Sequence, residues 1–222
     1  MKSIKSIKNL KDKRVLLRAD LNVPIKDGVI TDDFRIKKVV PTIKYLQEKG
    51  AKIVVISHLG EDGSKSLDIV ASKMKKYLKK VSFCAFDFGS KDLSEKISKI
   101  KQGEIVVLEN LRKNEGEKKN DKIFAKNLAS YGDIFINDAF SVCHREHASV
   151  VGVTKFLPGY AGFQLQYEIE NLSKAFKPKH PFVFMLGGAK FETKIPLIKK
   201  FLKIADFVFV GGAIANDFIK AK

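Results

Sequence analysis

The alternation of short apolar runs with longer amphipathic stretches is what most constrains this chain. Arg14–Arg18 (RVLLR) has the length and content of a buried strand. Asp33–Lys49 places Phe34, Ile36, Val39, Val40, Ile43 and Leu46 at helical spacing. Gly50 is the natural stop for that helix, and Pro41 is a local objection to its being unbroken. The alternation continues with predicted strands at Lys52–Ser57, Val81–Phe86, Glu104–Leu108 and Asp133–Ile136. Helices are predicted between them at Leu67–Lys79, Lys91–Lys99 and Asp121–Tyr131. Apolar strands each followed by a helix predict an open, mostly parallel, doubly wound sheet, a Rossmann-like three-layer α/β/α domain.

Residues 139–162 are less regular, with turn signals at Pro158-Gly159 and Gly162. Gln164–Phe176 reads as one helix, ended by Pro178. The pattern then restarts, with strands expected at Phe182–Leu186 and Asp206–Val210 and helices at Thr193–Lys203 and Ala213–Lys220. Two strands and two helices do not easily bury a core of their own. The expected organisation is therefore an N-terminal α/β domain over 1–163, a connecting helix over 164–177, and an incomplete second α/β domain over 178–222.

Composition removes several classes. Two cysteines, Cys84 and Cys143, cannot build a disulfide framework, and reduced thiols in a cytoplasmic protein are the simplest reading. No apolar run approaches the roughly 18 residues of a membrane span. The opening MKSIKSIKNLKDKR lacks the apolar centre of a secretory signal. The formal charge is +17, from 42 Lys and Arg against 25 Asp and Glu. That surplus is spread along the chain, with no basic block that would make a nucleic-acid arm, so neither nucleic acid nor membrane is expected as a partner. Only Arg14, Arg18, Arg35, Arg112 and Arg145 are arginines. Arginine grips carboxylate and phosphate with a planar fork that lysine lacks, so these few positions say more than the total charge.

In open α/β sheets ligands bind beyond the carboxyl ends of the strands, and the unusual polar residues fall there. Asp20 and Asn22 follow the first strand, and Ser57 and His58 the second. Glu109, Asn110 and Arg112 follow EIVVL, and Asn137 and Asp138 follow DIFI, with His144 and Arg145 close behind. Gly187, Gly188 and Lys190 follow PFVFML. Cations, a carboxylate or two and side-chain amides at one edge suit a small phosphorylated or carboxylated ligand. Each residue also has a plainer reading. Asp20 and Asn22 could shape the turn before Pro24. Arg35 could pair with Asp32, and Arg112 and Arg145 with Glu115 or Glu146. His144-x-x-His147 offers two metal ligands with no third in register. Gly187-Gly188-Ala189-Lys190 matches neither a Walker A loop nor GxGxxG.

Taken in order, RVLLRADLNVP, TDDFRIKKVVPTIKYL, SHLG, LENLR, NDAFSVCHREH and GGAKFETKI resemble the phosphoglycerate kinase family, from about residue 10 to the end. The resemblance implies a monomeric two-domain glycolytic enzyme with a hinge. It would move a phosphoryl group between 1,3-bisphosphoglycerate and ADP, giving 3-phosphoglycerate and ATP, with Mg2+ carried on the nucleotide and no tightly bound cofactor. It implies substrate-binding roles for Asp20, Asn22, Arg35, His58, Arg112 and Arg145, and catalytic roles for Arg35 and Lys190 on the migrating phosphoryl group. Gly188, Lys194, Gly211 and Gly212 would line the nucleotide.

Three departures stand out. Asp20-Leu21-Asn22 replaces Asp-Phe-Asn, and His58-Leu59-Gly60-Glu61 replaces His-Leu-Gly-Arg, an anion for a cation, with Lys65 the nearest compensating charge in sequence. The sequence also stops at Lys222, at about half a family member's length, so the 222 residues alone are expected to be inactive. A short, non-catalytic 3-phosphoglycerate-binding module is the alternative.

Overall fold

The computed structural model describes residues 2–188 and 195–220. Six parallel strands form the main sheet, in the spatial order β5-β6-β4-β1-β7-β8. In chain order these are β1 (Arg14–Ala19), β4 (Lys52–Ile56), β5 (Val81–Cys84), β6 (Ile105–Leu108), β7 (Ile134–Asp138) and β8 (Gly159–Ala161). Between β1 and the first helix lies a two-stranded hairpin, β2 (Ile25–Lys26) and β3 (Val29–Ile30), turned at Asp27-Gly28. The helices are α1 (Phe34–Glu48), α2 (Asp68–Met74), α3 (Lys91–Ser98), α4 (Glu115–Lys118), α5 (Lys122–Ser130) and α6 (Phe163–Lys174).

The period of two along each strand divides the core. Val15, Leu17, Ile53, Val55, Ile105, Val107, Ile134 and Ile136 pack on one side, against Ile36, Val39, Ile43 and Leu46 of α1 and Val70, Ala71 and Met74 of α2. Leu16, Val54, Ile56, Val106, Leu108 and Phe135 pack on the other, against Leu93 and Ile97 of α3 and Phe124, Ala125 and Leu128 of α5. A strand buried on both faces has to be apolar at every position, which is why these runs do not alternate with polar residues.

Helix α1 is continuous through Pro41. Pro41 sits on its exposed face, where water can satisfy the carbonyl that loses its N–H partner, while the apolar stripe opposite holds the helix to the sheet. The 139–162 stretch folds as short turns, including a π-helical turn at Ala148–Gly152, before β8.

The chain divides into two units, residues 1–168 and 169–222. The second contains parallel strands β9 (Val183–Leu186) and β10 (Phe207–Val210) with helices α7 (Ile195–Phe201) and α8 (Ala213–Lys220), around a small core of Leu186, Ile198 and Ile214.

Candidate functional site

β1 is flanked by β4 on one side and β7 on the other, so the chain leaves it in one direction and later returns on the opposite side. The crevice at such a switch point opens at the carboxyl ends of the strands. Asp20, Ser57, His58, Asp138 and, after β6, Arg112 all stand there.

A guanidinium to which the sequence assigns no site role underlies this edge. Arg18 is 1% exposed although it belongs to an apolar strand. Its Nε donates to Ser149 Oγ at 3.0 Å, and its Nη2 lies 3.0 Å from Nδ1 of His58. Ser149 in turn gives both its hydroxyl (2.6 Å) and its backbone N–H (2.9 Å) to the buried carboxylate of Glu117. Glu117 is the counter-charge that lets Arg18 be buried. Desolvation works against its ionised form, but His147, Arg18 and Ser149 outweigh it and keep the carboxyl below its ordinary pKa.

A guanidinium can only donate, so Nδ1 of His58 must accept, and the ring proton of the neutral imidazole sits on Nε2. Burial first, and then the charges of Arg18 and Arg112, lower the His58 pKa to about 3. His58 therefore offers the crevice a neutral N–H donor, not a positive charge.

Asp20 lies between two groups. Its Oδ2 accepts a hydrogen bond from Ser141 Oγ at 2.7 Å and forms an ion pair with Arg35. Burial would raise its pKa, but these partners bring it below the ordinary value. Arg35, projecting from the first turn of α1, thus pairs with Asp20 and not with Asp32, whose carboxylate instead caps the Phe34 N–H. A cleft of about 280 Å³ opens beside this pair, bounded by Phe34, Lys38, Phe140 and Ser141. Asn22 accepts the Gly60 N–H through Oδ1 at 2.9 Å, so in this state its amide oxygen holds a neighbouring loop.

Arg112 lies within a 3-10 turn at Leu111–Lys113, with its side chain 1% exposed. It pairs with Glu61 at 2.9 Å and not with Glu115, which bonds Lys119 on its own helical turn. The Nε and Nη2 of Arg112 and the Nε of Arg145 are buried without an acceptor. Buried N–H groups of this kind are costly to leave unmatched, and they form a donor set suited to an anion.

Glu109 and Asn110 turn out to be braces. Glu109 accepts from Leu67 N–H and Ser66 Oγ, both at 3.0 Å. The Asn110 amide donates to the carbonyls of Leu59 and Lys65 at 2.7 and 2.9 Å. Together they fix the loop that carries His58 and Glu61.

In the second unit, Gly188, Gly211 and Gly212 come together beyond β9 and β10. The Gly211 N–H bonds the Leu186 carbonyl at 2.8 Å, and a Cβ on Gly212 would lie 3.4 Å from Gly188 N. Lys190 and Lys194 lie outside the described residues. Among the described residues no three or more His, Cys, Asp or Glu side chains gather as a metal site, and no helix is long and apolar enough to cross a membrane.

Fold and site define an open parallel α/β domain with a cationic, partly unmatched donor set at the switch point of its sheet. The phosphoglycerate kinase family model matches residues 4–222, and the chain belongs to that family. It is 49% identical over 226 residues to a phosphoglycerate kinase of Wolbachia sp. subsp. Drosophila simulans, covering 98% of this chain and 56% of the relative. It is 44% identical over 218 residues to one of Dictyoglomus turgidum, covering 96% and 55%. The phosphoglycerate kinase structure from Coxiella burnetii matches with a TM-score of 0.86 and 39% identity, over 99% of this chain and 56% of that one. That from Pyrococcus horikoshii OT3 matches with 0.87 and 35%, over 100% and 57%. The chain thus spans little more than half the length of these relatives.

Proposed function

We propose that residues 1–163 form the phosphoglycerate-binding domain of a cytoplasmic, glycolytic phosphoglycerate kinase. Residues 164–177 would be its interdomain helix, and 178–222 the start of its nucleotide domain. The observation that carries this reading is the set of buried, unmatched N–H groups on Arg112 and Arg145 beside the neutral donor His58. Such donors would hold the non-transferred phosphate of 3-phosphoglycerate, with Asp20 and Asn22 at its hydroxyl and carboxyl end.

Phosphoryl transfer asks a protein mainly for in-line positioning and charge neutralisation. On this reading Arg35 leaves Asp20 to meet the migrating phosphoryl oxygens, and Lys190 meets them from the other domain. Gly188, Gly211, Gly212 and Lys194 would approach ADP or ATP, which brings its own Mg2+. Turnover would belong to a monomeric chain of the relatives' length, and the 222 residues alone would be inactive.

Calorimetry tests the reading. The 222-residue chain should bind 3-phosphoglycerate at one site, Arg112→Ala should lose most of that affinity, and the chain should not turn over MgATP with 3-phosphoglycerate. No binding by the unaltered chain would reject the assignment of the site.

A further inference from the structure

Glu61 places a carboxylate where the rest of the cradle offers donors. Two of the three guanidinium nitrogens of Arg112 have no acceptor; the third, Nη1, has both the Gly60 carbonyl and the Glu61 carboxylate, the latter at 2.9 Å. The carboxylate is 77% exposed, yet its backbone is tied down. The Gly60 N–H is bonded to Asn22, Lys118 Nζ donates to the Glu61 carbonyl at 2.7 Å, and Gly63 packs so tightly that a Cβ there would stand 2.4 Å from the Arg112 carbonyl oxygen. A loop fixed at these points keeps the carboxylate within reach of Arg112. Arg112 and then Arg145 also hold Glu61 ionised.

We propose that Glu61 is an internal competitor, a resident carboxylate that neutralises part of the Arg112 charge from Nη1 and repels an anion arriving at the free Nε and Nη2. That repulsion lowers the affinity for every phosphoanion by the same factor. Glu61 thereby sets the affinity of the cradle without being part of it. This rests on the anion-binding reading above.

The test compares the unaltered 222-residue chain with Glu61→Gln by calorimetry, using inorganic phosphate and 3-phosphoglycerate separately. Glu61→Gln should bind both more tightly, by about three- to tenfold and by the same factor for each. Glu61→Asp, one methylene shorter, should fall between. Equal or weaker binding by Glu61→Gln overturns the proposal. A gain for phosphate with no preference of either chain for 3-phosphoglycerate over phosphate leaves the competitor standing and rejects the substrate. Failure of both chains to bind either anion overturns both.

Discussion

Nη2 of Arg18 faces Nδ1 of His58 at 3.0 Å, and that contact decides which ring nitrogen carries the proton. In nitrogen-15 spectra of the labelled protein, His58 should show the Nε2–H tautomer at pH 7 and resist protonation down to about pH 4. Protonation near its ordinary value of 6.5 would contradict the arrangement.

The same depressed pKa predicts a stability slope. Between pH 6.5 and about 3 the unfolded chain binds a proton on His58 that the native state does not, so this residue makes stability fall as pH falls through that window. His58→Asn keeps an acceptor for Arg18 and cannot titrate. Urea unfolding across the window should show a shallower decline for the variant by about one proton's worth of slope.

Arg18 cannot be removed cheaply. Arg18→Met would remove the guanidinium that reaches the buried Glu117 carboxylate through Ser149. The change is expected to cost less than the roughly 3–5 kcal/mol of breaking a directly paired buried charge, and more than about 1 kcal/mol. A loss below about 1 kcal/mol in urea unfolding would show that Ser149 and His147 suffice.

Asp138 accepts the Gln164 and Leu165 N–H groups at 2.8 and 3.2 Å, and so caps the start of α6. Burial raises its pKa. Asp138→Ala should cost about 1–2 kcal/mol and raise hydrogen exchange at those two amides, whereas Asp138→Asn should retain most of the cap.

In a phosphoglycerate kinase of the relatives' length that carries this segment, the proposed transition-state role predicts that Arg35→Ala lowers kcat by about a hundredfold or more while changing 3-phosphoglycerate affinity little. Proportional losses in both would assign Arg35 to ground-state binding.

The strands and most helices were legible because burial on both faces demands unbroken apolar runs, and the site because polar residues collect where those runs stop. What escaped depended on partners far along the chain. Arg18 looked like the end of a strand, since its acceptor Ser149 and counter-charge Glu117 come about a hundred residues or more later. Glu61 was visible as an anion at a cation's place, but its hold on Arg112 depends on the path of the 60–63 loop. β8 has three residues and β2 and β3 two each, too short to show a period. The predicted helix at Leu67–Lys79 shortens to Asp68–Met74, with turns continuing to Leu78.

One of the two central strands of the sheet, β1, is also the earliest made of the six. β1 pairs with β7, Val15 opposite Ile134, and the Arg14 N–H bonds the Asp133 side chain just before β7, 119 residues away. On a ribosome, the centre of this sheet must wait for β7 to emerge before its second edge is covered. Non-local pairing of this kind makes folding slow. Arg18 meets Ser149 still later, so the crevice is among the last parts of the domain that synthesis allows to assemble.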